Sequence, residues 1–205
     1  MPKKNRIFAR KSPKQGRSKS LVTTILTATT RVLESGGYAK ATTNRVAELA
    51  GVSIGSLYQY FPSKEALVAA ILDQQIERNQ KRFETKIRDA DGKSFDELLE
   101  IVIQTAADVY LGNRKIMTIL FEQTPALEKT QHVLRARAHV SQLLGVAIER
   151  YKGDLKPQNL ELAIYVSVNA VLGVLSAALL SYPANAKDAD LTREMTAMVR
   201  RYFTA

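Results

Sequence analysis

Ile54, Gly55, Ser56, Gln59 and Tyr60 stand at the spacing of a short helix and carry no charge among them. Such a surface has little to offer bond-making chemistry, but it can read another molecule. The apolar tip of Ile54 can touch a thymine methyl, and the Gln59 amide can pair with an adenine edge in the major groove of duplex DNA. Ser53, Ser56 and Tyr58 can donate hydroxyl hydrogen bonds to phosphates, and Lys64 can add a charged contact. Backbone N–H groups at the helix starts near Thr43 and Lys64 suit phosphate oxygens as well.

Bond-breaking chemistry finds no comparable constellation. The chain of 205 residues has no Cys, so it offers neither a thiolate metal site nor a disulfide, and a reducing compartment suits it. His132 and His139 are the only histidines; seven positions apart, they lie two turns along a helix, too far for an H-x-x-x-H metal pair. No nucleophile elbow, phosphate-binding glycine loop or dinucleotide fingerprint occurs. The sequence therefore reads as a non-enzyme with no cofactor and no metal.

The reading surface needs elements to hold it. Residues 42–64 parse as two short helices joined by a tight turn. Thr42 caps the first, which is expected to bury Val46, Leu49 and Ala50; Gly51 supplies the turn, Ser53 caps the second, and Phe61-Pro62 stops it. Val46, Leu49, Val52, Leu57 and Phe61 supply the apolar contacts between the two. A preceding helix, with Pro13 in its first turn, carries Leu21, Ile25, Ala28, Val32 and Leu33 on one stripe and is expected to end at Gly36-Gly37. Ser63 caps a fourth helix running from Lys64 towards Arg82. Residues 1–12 read as a basic arm with no apolar run, expected not to be a secretory signal.

Charge is distributed in step with these elements. The net charge is +10, and residues 1–64 account for all of it, with twelve Lys and Arg against Glu34 and Glu48. The remainder is balanced. Localised basicity beside a helix-turn-helix pattern is the electrostatic footprint of a nucleic-acid binder.

The run T-T-N-R-V-A-x-x-A-G-V-S-x-G-S-L-Y-Q-Y-F-x-x-K-E-A-L, beginning at Thr42, resembles the DNA-binding domain of the TetR family of bacterial transcriptional repressors. The match is dense over residues 37–67 and, with the preceding helix and arm, covers about the first third of the chain. The resemblance implies that Thr43 and Asn44 approach DNA from the second helix, whose cap Thr42 is also counted among the DNA-binding candidates. It places Ile54, Gly55, Ser56 and Gln59 in the groove, with Tyr58, Tyr60 and Lys64 at the backbone. Two of these have a second reading: Tyr60 as a packing residue, Asn44 as a solvated first-turn residue.

Beyond residue 90 every segment again reads as helix. Asp91-Gly92 is a turn, and Ser94 with Glu97 forms a capping box before a helix that buries Phe95, Leu98, Leu99, Val102, Ala106 and Val109. Gly112-Asn113 breaks it, and a short helix covers 114–123. Thr124-Pro125 is expected to open a long helix with Val133, Ala136, Val140, Leu143, Ala147 and Tyr151 on one stripe. Lys152-Gly153-Asp154 and Pro157 end that helix. The next spans 158–182, closed by Pro183, and the last starts near Asp188 and is expected to bury Leu191, Met195, Met198, Val199 and Tyr202. No segment alternates with period two. The fold class is therefore all-α with about nine helices: an N-terminal three-helix helix-turn-helix domain (1–63), joined by the fourth helix to a larger C-terminal helical bundle (64–205).

Residues 162–182 contain no charge, long enough to span a bilayer. Ser167, Asn169 and Ser176 within the run, and flanks of mixed sign, favour instead a helix buried against its own core and a partner chain. The family resemblance implies a homodimer through the helices at 158–182 and 188–203, a palindromic double-stranded DNA operator, a cytoplasmic location with no membrane, and an unknown small-molecule effector. Candidate effector contacts are Phe83, Tyr110, Met117, Phe121, Tyr165 and Asn169, which mix aromatic bulk with polar handles. The expected function is a ligand-released repressor. A DNA-bound scaffold or activator that recruits a protein, with no small-molecule pocket, stays open.

Overall fold

Nine α-helices and no strand are found among the residues described by the computed structural model, which are 16–127, 129–182 and 185–204. The basic arm, Pro13 and Pro183 lie outside them. The helices are α1 Gly16–Lys40, α2 Thr43–Ala50, α3 Ile54–Tyr60, α4 Lys64–Asp89, α5 Phe95–Leu111, α6 Arg114–Gln123, α7 Thr130–Ile148, α8 Leu160–Leu180 and α9 Asp188–Thr204. By internal contacts the chain forms two compact units, one reaching Ile76 and including Thr118–His132, the other Glu77–Met117 with Val133–Ala205.

In the first unit α2 and α3 are too short to be stable alone; caps and packing hold them. The Thr42 hydroxyl accepts the Arg45 N–H at 3.3 Å and the Ser53 hydroxyl accepts the Ser56 N–H at 3.1 Å. Gly51 sits at φ 65, ψ 32, the left-handed conformation that lets its N–H close α2. Ile25, Val32 and Leu33 of α1, Val46 of α2, Leu57 and Phe61 at α3, and Leu67 and Val68 of α4 form the buried core. Leu49 departs from expectation and is half exposed. On so short a helix the core takes Val46 and Ala47, which turns Leu49 to the flank, beside Thr23, Thr24 and Thr27 of α1.

Gly36-Gly37 breaks α1 as expected: Gly37 leaves helical geometry at φ 71, ψ −179, and a separate short turn follows to Lys40. Other boundaries differ. Helix α4 continues past Arg82 to Asp89. Thr124 closes α6 rather than opening α7, because its hydroxyl donates to the Leu120 carbonyl at 2.7 Å and its N–H does so at 2.9 Å.

The second unit is built on α5, α8 and α9, with Leu98, Ile103, Leu175, Met195 and Phe203 deep in its core. The Ser94–Glu97 capping box is complete. Arg200 of α9 pairs with Asp96 and Glu100 of α5. By length and composition α8 could cross a membrane; Ala163, Ile164, Ser167, Val171, Leu175 and Ala178 form a buried stripe along it. Leu162, Tyr165, Val166, Val174 and Leu180 on α8 are exposed, as are Met198 and Tyr202 on α9. Those last two were expected in the core.

Candidate nucleic-acid interface

All the residues expected to meet DNA belong to the first unit. Ile54, Gly55, Tyr58 and Gln59 of α3 are exposed, as are Thr42 and Asn44; Thr43, Ser56 and Lys64 are half buried. The face of α3 is therefore uncharged and polar, with Ile54 as its apolar tip. Tyr60 is a correction. It is only 7% exposed, because Leu57, Tyr60 and Phe61 fall three and four positions apart and form the inward face of α3. Its packing reading is the one the structure realises.

Hydroxyl groups bracket this helix in two coupled pairs. Thr43 Oγ1 and the Tyr58 hydroxyl are 3.1 Å apart, joining α2 to α3. Ser53 Oγ and Ser56 Oγ are 2.8 Å apart at the α3 start. In each pair one hydroxyl donates to the other, so one hydrogen remains for an outside acceptor whichever is the donor. Gly55 has a different kind of openness. A Cβ built there meets nothing nearer than the Ser53 hydroxyl at 3.9 Å, so the fold itself does not require glycine at this position.

The start of α4 holds a charged group that sequence reasoning only half identified. Lys64 Nζ donates to the Tyr38 carbonyl at 3.4 Å and lies 3.9 Å from the centre of the Tyr38 ring. The Tyr38 hydroxyl donates to Glu65 Oε1 at 3.4 Å. Burial first, then the Glu65 charge, pushes the Tyr38 phenol above its usual range. Burial pulls the Glu65 carboxyl up, but its own backbone N–H, the Ser63 hydroxyl, Lys64 and Tyr38 together leave it below the usual carboxylate range. Tyr38 thus fixes the Lys64 ammonium beside α3. Its signal in the sequence was an aromatic residue directly after a Gly-Gly kink. Arg45 was also missed; it is exposed in the first turn of α2, and among the described residues it makes no ion pair.

The six candidate effector contacts differ in their surroundings. Phe83, Tyr110 and Met117 are half buried in the second unit, the first two packed against its core. Tyr165 and Asn169 lie on the exposed side of α8, and the Asn169 amide donates to the Tyr165 carbonyl at 2.8 Å. Its partner is its own helix. Phe121 belongs to the first unit and is 37% exposed. Each histidine faces a carboxylate of α4: His132 Nδ1 is 3.3 Å from Asp73, and His139 Nε2 is 2.9 Å from Glu84. Asp73 also pairs with the buried Lys129 at 2.8 Å.

Residues 25–71 match the family described as bacterial regulatory proteins, tetR family, and residues 94–203 match the tetracyclin repressor-like C-terminal domain. The HTH-type transcriptional regulator UidR of Escherichia coli is 27% identical over 190 residues, covering 89% of this chain and 93% of that protein. The HTH-type transcriptional repressor KstR of Mycolicibacterium smegmatis is 44% identical over 54 residues, 26% of each chain. The crystal structure of FadR from Bacillus subtilis in complex with stearoyl-CoA has a TM-score of 0.69 at 17% identity, covering 88% of this chain and 98% of that one.

Proposed function

Because the chain belongs to the TetR family of bacterial regulatory proteins and is a DNA-binding transcriptional regulator, we propose that it is a repressor released from a palindromic operator by a small-molecule effector. The observation that carries this reading is α3. Its exposed face is uncharged and groove-sized, with Ile54, Gly55 and Gln59 outward, on a part of the chain that holds all the excess positive charge. Gln59 and Ile54 would read base edges, while the Thr43–Tyr58 and Ser53–Ser56 hydroxyls and Lys64 would fix the register on phosphates. Thr42, Asn44 and Arg45 at the α2 start would add backbone contacts. Tyr60 would act only by packing.

One α3 helix reaches only a few base pairs, so selectivity requires two. The exposed apolar faces of α8 and α9 support a homodimer through these helices. The division of labour proposed is DNA binding by 1–63 and dimerisation with effector binding by 64–205. Effector binding would bias α4, whose continuous helix begins beside α3 at Lys64, and so alter the placement of α3. Reciprocity follows: DNA must weaken effector binding by the same factor. A relative of the same fold carries stearoyl-CoA, which supports a small-molecule effector without identifying this one. Gel-shift titration against the DNA flanking the chain's own gene tests the reading. A sequence-selective shift that persists at physiological salt is expected; binding no tighter than to unrelated DNA would refute it.

A further inference from the structure

Two opposite charges stand side by side at the start of α4, Lys64 and Glu65, and only the lysine suits a DNA phosphate. A carboxylate next to that lysine opposes the contact in two ways. It can take the ammonium for itself, and it repels the incoming anion. Protonation does not remove the conflict. Burial raises the Glu65 carboxyl, but its own backbone N–H, the Ser63 hydroxyl, Lys64 and Tyr38 outweigh burial and keep it ionised.

The conflict is resolved in space. Lys64 and Glu65 form no ion pair with each other among the described residues; each goes to a different part of Tyr38. The Lys64 ammonium lies 3.9 Å from the centre of the Tyr38 ring and donates to the Tyr38 carbonyl at 3.4 Å. The Tyr38 hydroxyl donates to Glu65 Oε1 at 3.4 Å. One side chain thus meets the cation with its ring face and the anion with its O–H. All three residues are half buried and lie in the first unit. The break at Gly37, one residue earlier, sets the direction in which the chain delivers Tyr38. A phenylalanine there would keep the contact with the ammonium and release the carboxylate.

We propose that Tyr38 is a positioning residue for DNA binding: its ring holds the Lys64 ammonium for a phosphate, and its hydroxyl keeps the Glu65 carboxylate off that ammonium. The proposal deepens the DNA-binding reading and rests on Lys64 being a phosphate contact.

The full chain is titrated by fluorescence anisotropy, across salt concentrations, against the duplex flanking its own gene and an unrelated duplex of equal length. Tyr38→Phe should weaken binding to both duplexes roughly threefold or more, as for one modest hydrogen bond. It should also flatten the salt dependence by part of the slope that Lys64→Ala removes. In a Glu65→Gln chain, with no carboxylate to withhold, Tyr38→Phe should change neither quantity. That rescue separates positioning from a purely structural role, which would weaken both backgrounds alike. Glu65→Asp keeps the charge but falls short of the phenol, and should lose affinity as Tyr38→Phe does; it reads the same point should Tyr38→Phe not fold. Binding unchanged in Tyr38→Phe, or in Glu65→Asp, overturns the proposal. So does an equal loss from Tyr38→Phe with Glu65 and with Gln at that position, since the hydroxyl would then touch DNA itself or support the fold. Failure of the underlying reading looks different: Lys64→Ala would keep the wild-type salt slope, or wild type would bind neither duplex, and the proposal would fall with it.

Discussion

Replacing Gly55 with alanine separates what the fold needs from what DNA needs. The glycine is exposed, is not among the residues at positive φ, and a new Cβ would come no closer than 3.9 Å to the Ser53 hydroxyl. In the free protein the methyl therefore meets no obstacle and restricts the unfolded chain. Alanine gains up to about 1 kcal/mol over glycine in a helix interior, and roughly half of that so near the start of α3. For a chain of this size the melting temperature should rise by about 1–2 °C. In the proposed complex the same methyl would intrude where α3 enters the groove. A loss of a single well-fitted base contact costs about 1–3 kcal/mol, so operator affinity should fall roughly tenfold or more. Melting curves and quantitative gel shifts at one fixed salt concentration read both numbers. Gly51→Ala is the control: its φ of 65 forces strain, so it should lower stability by about 1–2 kcal/mol. If Gly55→Ala melts higher yet binds the operator as tightly as wild type, α3 does not approach DNA at this position.

Lys64→Ala should weaken binding to all sequences and flatten the salt dependence by roughly one unit of slope, measured by titration across salt concentrations. Gln59→Ala should relax base preference at one operator position by about 1–3 kcal/mol, seen by comparing all four bases there. The Ser94 backbone N–H and then its hydroxyl hold the Glu97 carboxyl below the usual range. Its contribution to stability is thus complete above the ordinary carboxylate pKa and fades as pH falls through the lower folded value. Glu97→Gln should flatten that acid limb in melting curves recorded from about pH 5 to pH 3. Asp73→Asn removes the carboxylate facing Lys129, whose side chain is 4% exposed. With Asp73 itself partly solvated, a loss of about 1–3 kcal/mol is expected in urea unfolding.

Helix type and most caps were legible because they depend on neighbours in sequence. Thr42, Gly51, Ser53 and the Ser94–Glu97 box behave as local hydrogen bonding dictates. What was not legible depends on which side of a helix meets another. Leu49 and Tyr60 exchange expected roles because an eight-residue and a seven-residue helix can each bury only one narrow stripe. Thr124 resembles a helix opener but closes α6, a choice between two carbonyl and amide partners that spacing alone cannot decide. Met198 and Tyr202 are apolar at helical spacing yet exposed; the proposed interface between chains would write the same pattern as a core within one chain.

Selection of tight binders from a random duplex library by the full-length chain tests most directly whether two α3 helices read DNA together. The enriched sequences should be two-fold symmetric, with half-sites about one helical turn, or a multiple of it, apart, and should bind two chains or a multiple of two. Enrichment of an asymmetric site, occupancy by a single chain, or no enrichment at all would contradict it.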